Sequence, residues 1–183
     1  MIAAVFLASG WGKRFGGNKL LWPVEGIPMT ERVFRALPEE IPGFVVTGNS
    51  DVAALTHKYP HLTVLENRGG RDDVSVTIQM GVEALCPEVE GALFFVCDQP
   101  WLRRESVCCL VEAFQKDPTK IYVLSHGDRM GNPCLFPRDF FPELCALPPD
   151  TGGKAVIARH PERVCLVSAT DVRELEDLDY KPQ

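Results

Sequence analysis

The 183-residue chain has no surplus of basic residues, no repeated C-x-x-C, no histidine cluster and no long Pro/Ser/Gly linker. Lysine and arginine total 19 against 25 aspartate and glutamate, a formal charge of −6. That balance excludes a protein that coats nucleic acid or an anionic membrane, although local donors still bind a small anion on an acidic surface. Seven cysteines, an odd number, read as scattered reduced thiols of an intracellular protein and not as a disulfide framework. Cys108 and Cys109 are adjacent on an expected helix and point about 100° apart, so no zinc site is expected. His57 and His61 stand at i, i+4, but Pro60 interrupts the helix that would align them. Residues 1–10 are apolar, yet they lack a basic n-region and turn glycine-rich too soon for a signal peptide or a membrane span. A cytoplasmic location is expected.

What is present is the composition of an ordinary globular protein, 45% hydrophobic and 24% charged, in a length that suits one domain over residues 1–183. Apolar runs at 2–8, 44–47, 62–65, 92–97, 121–124 and 164–167 predict buried strands of a mostly parallel sheet, because both faces of each are apolar. Helical periodicity fills the gaps at 29–37, 51–58, 74–85, 105–114, 139–147 and 152–159. Strand and helix alternate, which predicts an α/β, Rossmann-like three-layer α/β/α sandwich with right-handed crossovers. In such sheets ligands bind beyond the carboxyl ends of the strands.

After the first strand comes Ser9-Gly10-Trp11-Gly12-Lys13-Arg14-Phe15-Gly16-Gly17-Asn18-Lys19. Glycines let backbone N–H groups approach an anion, and Arg14 and Lys19 neutralise phosphate oxygens, so the loop points to polyphosphate binding. A tight turn with solvated basic side chains is the alternative. The loop is not a Walker A motif, since Gly17 is followed by Asn18-Lys19-Leu20. It is not a dinucleotide fingerprint either, because Phe15 stands where the third glycine belongs, which disfavours hydride transfer. Phe94-Phe95-Val96-Cys97-Asp98 is an apolar strand that ends in a carboxylate. Beside a phosphate loop that carboxylate suits magnesium, which takes one or two protein carboxylates plus phosphate oxygens and water; a helix cap is the alternative.

The pattern L-A-x-G-x-x-x-R-x-G-x-x-K, present as Leu7-Ala8-Ser9-Gly10, Arg14, Gly16 and Lys19, resembles the MobA-like nucleotidyltransferases, the family of the enzymes that attach CMP or GMP to molybdopterin. Cys97-Asp98-Gln99-Pro100 is similar to the G-D-Q-P motif of the cytidylyltransferases and departs from it only at Cys97. Asp177-Leu178-Asp179-Tyr180 resembles D-I-D-T near the nucleotide; a charged tail is the local alternative. Asn67, Ser75 and Gly81 partly match a further nucleotide-side region. Gly131-Asn132-Pro133 and Asp150-Thr151-Gly152-Gly153-Lys154 resemble acceptor-facing regions, where a helix start after Thr151 would suit a phosphate; loop and cap chemistry is the alternative. The likeness spans nearly the whole chain.

The resemblance implies a fold of the nucleotide-diphospho-sugar transferase type and transfer of a nucleoside monophosphate from an NTP to the phosphate of molybdopterin, with release of pyrophosphate. It implies Arg14, Lys19 and Asp98 as catalytic residues, and Leu7, Ala8, Ser9, Gly10, Gly12, Arg14, Lys19, Asn67, Ser75, Asp98 and Gln99 around the nucleotide. A magnesium ion, with manganese as a substitute, would sit on Asp98, Asp177 and Asp179. Gly131, Asn132, Pro133, Asp150, Gly152, Gly153 and Lys154 would face the acceptor, and a molybdenum hydroxylase would receive the product. In the family L-A-A-G accompanies cytidine and L-A-G-G guanosine. Ser9 is neither, and its size together with Asp98-Gln99-Pro100 leans towards CTP, while a hydroxyl that pairs with a base edge keeps GTP and ATP open. A sugar phosphate as acceptor, and a non-catalytic nucleotide-binding or cofactor-delivery protein, are the competing readings.

Overall fold

In a computed structural model of the chain, which describes residues 1–10, 18–68 and 73–179, all six predicted strands and all six predicted helices are present. The order is β1 (Ile2–Leu7), β2 (Pro23–Val24), β3 (Ile27–Pro28), α1 (Met29–Ala36), β4 (Gly43–Thr47), α2 (Ser50–Leu55), β5 (Leu62–Glu66), α3 (Val74–Glu83), β6 (Gly91–Val96), α4 (Arg104–Lys116), β7 (Ile121–His126), β8 (Arg129–Pro137), α5 (Phe141–Cys145), α6 (Lys154–Arg159) and β9 (Val164–Ser168). Seven strands form one sheet in the order β5-β4-β1-β6-β8-β7-β9. β8 alone runs antiparallel to its neighbours β6 and β7, while the other pairings are parallel. Among the described residues no helix is long and apolar enough to cross a membrane.

Both faces of the inner strands β1, β4, β6 and β7 are apolar because both are covered, whereas the edge strand β9, expected to be buried, has no buried residue and exposes Leu166. On one side Phe6, Phe34 and Phe95 anchor a core shared with α1 and α4; Phe6 stacks on Phe95 at 4.6 Å and meets Phe34 edge-on at 5.0 Å. On the other, Val5, Ile78, Phe94, Phe136 and Leu144 pack beneath α3 and α5. Gly81 is a packing glycine of that second layer. A Cβ there would stand 2.3 Å from Val5 Cγ1, so only glycine lets α3 approach the central strand this closely. Asn49 caps α2, its side chain accepting from the N–H groups of Asp51 and Val52.

Three strands depart from the expected set. β2 and β3 form a small hairpin whose turn residues Glu25 and Gly26 both take positive φ, 51° and 80°, the geometry of a type I′ turn. β8 begins at Arg129 and runs through Gly131-Asn132-Pro133, which is therefore strand and not loop. The helix expected from residue 152 starts only at Lys154, with no side-chain cap.

The chain fills the sheet outward from β1 to β4 and β5, then returns to the other side of β1 as β6. That reversal makes the carboxyl ends of β1 and β6 a topological switch point, where an open α/β sheet leaves a crevice.

Candidate active site

Register brings the two principal motifs together. Leu7 pairs with Val96 at the last rung between β1 and β6, so Ala8-Ser9-Gly10 and Cys97-Asp98 leave neighbouring strands at one level. Lys19, in a short 3-10 turn that follows the glycine-rich loop, reaches back to that level. Its Nζ donates to Asp98 Oδ2 at 3.0 Å and to Asp179 Oδ1 at 2.8 Å. Only 11% of the Lys19 side chain is exposed, against 29% for Asp98. Burial works against both charges. For Lys19 the two carboxylates outweigh it and hold the ammonium above its ordinary pKa. For Asp98 burial prevails over the pull of Lys19, and the nearby Asp177 adds to it, so its carboxyl titrates above the usual range.

Two cavities meet at Asp98. One, of about 240 Å³, is lined by Leu7, Ser9, Gly10, Lys19 and Asp98. The second, of about 280 Å³, shares Leu7, Val74, Val96 and Asp98 with the first and continues past Asn132, Phe136, Gly152, Gly153, Lys154 and Asp177. A larger cavity, about 660 Å³, opens instead at the amino ends of the strands beside Met1 and Ile2. Its charged side chains are Glu40, Glu90 and Glu112, which repel a polyphosphate. The cleft at Asp98 is therefore the candidate site.

Several predicted residues hold the cleft together. Ser9 Oγ donates to the carbonyl of Val46 at 3.2 Å and accepts from Asn67 Nδ2 at 3.2 Å. Ala8 is buried, its N–H bonded to Val46 O. Ser75 Oγ donates to Asp73 Oδ1 at 2.6 Å, and that same oxygen accepts the N–H groups of Ser75 and of Asp150. Asp73 thereby ties the start of α3 to the loop before α6, where Asp150 takes a φ of 56°; these donors hold its carboxyl below the ordinary range. Gly131 is small for packing, since a Cβ would come within 2.6 Å of Leu175. The Asn132–Pro133 peptide is cis. Cys97 and Cys134 flank the cleft as buried thiols, Cys97 raised and Cys134 pushed up to about 12 by burial, which leaves both inert as nucleophiles. Gly12 and Arg14 lie outside the described residues.

The C-terminal segment was open to the reading of a solvated charged tail, and the structure corrects that. Residues 170–179 form a strap bound along 98–106. Glu174 is wholly buried, and its Oε1 accepts from Ser106 Oγ, Thr170 N, Thr170 Oγ and Asp171 N, while Oε2 accepts from Arg103 N. Arg173 lies over the Trp101 ring at 4.7 Å. Gln99 Nε2 donates to Asp177 Oδ1 at 2.8 Å, and Leu178 N–H bonds Asp98 O at 2.9 Å. The strap thus carries Asp177 and Asp179 to the site. Sequence reasoning passed over Glu174 as an anchor, although Asp171-x-x-Glu174 is the spacing of a capping box, which the structure contains.

Among the described residues no three acidic, histidine or cysteine side chains converge as a closed metal cage. Asp98 and Asp177 offer hard oxygens on one side of the cleft, and the buried Gln99 Oε1 has no hydrogen-bond partner. That set fits a magnesium-type ion that draws its remaining ligands from phosphate and water, and does not fit a zinc site.

Solved structures share this fold. A nucleotidyl transferase from Methanothermobacter thermautotrophicus, Mth528, superposes with a TM-score of 0.83 at 21% identity, covering 98% of this chain and 92% of that one. Rv0371c from Mycobacterium tuberculosis gives 0.79 at 22% identity, over 98% and 93% of the two chains. A CMP:2-keto-3-deoxy-manno-octonic acid synthetase complexed with CTP gives 0.71 at 14% identity, over 98% and 93%. No curated protein matches the sequence significantly. Residues 4–164 match the MobA-like NTP transferase domain, and with most of its length inside that match the chain belongs to the MobA-like NTP transferase family.

Proposed function

We propose that the protein moves a nucleoside monophosphate, from CTP in preference to GTP or ATP, to the phosphate of a molybdopterin-type acceptor and releases pyrophosphate. The observation that carries this reading is the Lys19–Asp98 pair at the β1/β6 switch point, where two cavities share one carboxylate. The first would take the triphosphate and the second the acceptor, so that the two meet at Asp98.

An acceptor phosphate oxygen attacks the α-phosphorus; the new P–O bond forms as the bond to the β-phosphate oxygen breaks, and pyrophosphate departs with that electron pair. A phosphate nucleophile already carries its charge, so the site needs alignment and charge neutralisation more than a general base. Lys19 supplies a cation to the phosphates on one side. Lys154 supplies one to the acceptor's phosphate on the other, with the Asn132 amide beside it. Arg14 completes the cationic loop. Magnesium or manganese held by Asp98 and Asp177 would neutralise the triphosphate and polarise the α-phosphorus.

Two features support the finer assignments. Ser9 spends its only hydroxyl proton on Val46 O, which makes it act as the small residue that accompanies cytidine. The second cavity is walled by Val74, Ile78 and Phe136, with Lys154 as its cation beside the Asn132 amide and the carboxylates of Asp98 and Asp177. Apolar walls with one cation suit a ring system bearing one phosphate. On this reading residues 1–183 act as one cytoplasmic catalytic domain that serves a molybdenum hydroxylase. The test is incubation with a molybdopterin-type acceptor, each labelled NTP and magnesium. Label should pass from CTP to the acceptor as pyrophosphate appears; nucleotide binding without pyrophosphate release would leave the non-catalytic reading, and transfer to sugar phosphates alone would replace the acceptor.

A further inference from the structure

Lys19 sits where a metal-binding carboxylate would need to be free. Its ammonium bridges Asp98 Oδ2 and Asp179 Oδ1 at 3.0 and 2.8 Å, and it lines the same cavity as Ser9 and Gly10. The strap's two carboxylates are placed differently. Asp177 is fixed by Gln99 and faces the second cavity with Asp98, whereas Asp179 is 57% exposed and engages the lysine. Resting on the nucleotidyltransferase reading above, we propose that Lys19 is a specificity-determining residue that acts as a resident cation. It bars free divalent metal from Asp98, with Asp179 as its tether, so that the protein accepts metal only as a metal–triphosphate complex.

The argument is electrostatic. A divalent ion bonds carboxylate oxygen at about 2.1 Å, so an ion on Asp98 and the ammonium on the same carboxylate would repel at close range in a partly dry cleft. Free metal must therefore expel Lys19 towards solvent and leave it with Asp179 alone. A metal-bound triphosphate brings its own negative charge to the lysine. The long, flexible lysine stem lets Nζ swing from carboxylate to phosphate without backbone movement. Metal and nucleotide then enter together, and the charge at Asp98 stays balanced before and after.

Manganese binding followed by electron paramagnetic resonance on the full chain tests this without turnover. Wild-type protein should bind free Mn²⁺ weakly and gain about tenfold or more in Mn²⁺ affinity with a methylene-bridged CTP analogue, a coupling of ordinary size. Lys19→Met should raise the affinity for free Mn²⁺ by about tenfold and shrink that coupling. Asp179→Asn, a change at an exposed side chain that spares the fold, should raise free-metal affinity by a smaller factor in wild type and leave it unchanged in the Lys19→Met background. The inference is overturned if Lys19→Met binds free Mn²⁺ no better than wild type while the analogue still binds with the metal. It is equally overturned if Asp179→Asn weakens Mn²⁺ binding in both backgrounds, which would make Asp179 a ligand. Failure of wild-type protein to bind the analogue with Mn²⁺ would instead remove the nucleotidyltransferase reading, and this inference with it.

Discussion

Replacing Glu174 by Gln should lower stability by about 2–3 kcal/mol although the side chain keeps its size. The carboxylate is wholly buried and accepts five hydrogen bonds, all from backbone N–H or hydroxyl groups. It sits at the amino end of α4, taking the N–H of Arg103, where the helix dipole favours negative charge. The amide of Gln best replaces Oε2, since Oε1 faces two backbone N–H groups that cannot reverse. That choice sets one amide against the Arg103 N–H and leaves both donors unpaired, at about 1–3 kcal/mol. The four surviving bonds fall from charge-assisted to neutral strength, while removal of a buried charge gives part of that back. For a domain of this size the net loss corresponds to about 5–10 °C in Tm. Differential scanning calorimetry measures it, and trypsin cleavage after Arg173 should accelerate as the strap loosens. A variant that melts within a degree of wild type would show that the five contacts do not act as an anchor.

Asp98→Ala should abolish nucleotidyl transfer with the circular dichroism spectrum intact; residual turnover near wild type would remove the carboxylate from the mechanism. Gly81→Ala should destabilise by about 1–3 kcal/mol through overpacking, despite the better helix propensity of alanine, because the new Cβ would meet Val5 Cγ1 at 2.3 Å on a strand paired on both sides. Val5→Ala in the same chain should recover part of the loss, and strict additivity in urea melts would contradict the clash. Glu31 is buried; burial pushes its carboxyl up, but Lys58, Arg35 and Tyr59 outweigh that and hold it below the ordinary range. A carboxyl depressed in the folded state contributes fully above its unfolded value, about 4.3, and loses that contribution as pH falls through its folded value. Glu31→Gln should therefore be less stable at neutral pH and flatten the acid limb of the stability curve, and an unchanged limb would refute the assignment.

The layered architecture was legible because each strand that lies in parallel pairing is apolar on both faces, and each crossover helix keeps a 3.6 period. Asp98 was legible for the same reason, as a carboxylate at the end of Phe94-Phe95-Val96. β8 was not, since Gly131, Asn132 and Pro133 are turn formers in local terms and become part of a strand only because the residues on either side pair, Arg129 and Met130 with β7 and Cys134 onward with β6 and β7. Gly81 carried no local sign that Val5 would stand beneath it. The strap was hidden because Glu174 and Asp177 are ordinary surface residues until Arg103, Ser106 and Gln99, some seventy positions earlier, receive them.

The reversed direction of β8 has a consequence for how such a protein diversifies. Phe94 faces Cys134, and Gly91 faces Pro137, so β8 delivers its first residues, not its last, to the rim where the reaction would occur. The β7–β8 turn at residues 127–128 therefore projects above that rim. Insertions there would lengthen the wall on the Asn132 side and leave β1, with its glycine-rich loop, undisturbed. One stretch of chain can drift towards new partners for the transferred group while another preserves how that group is activated.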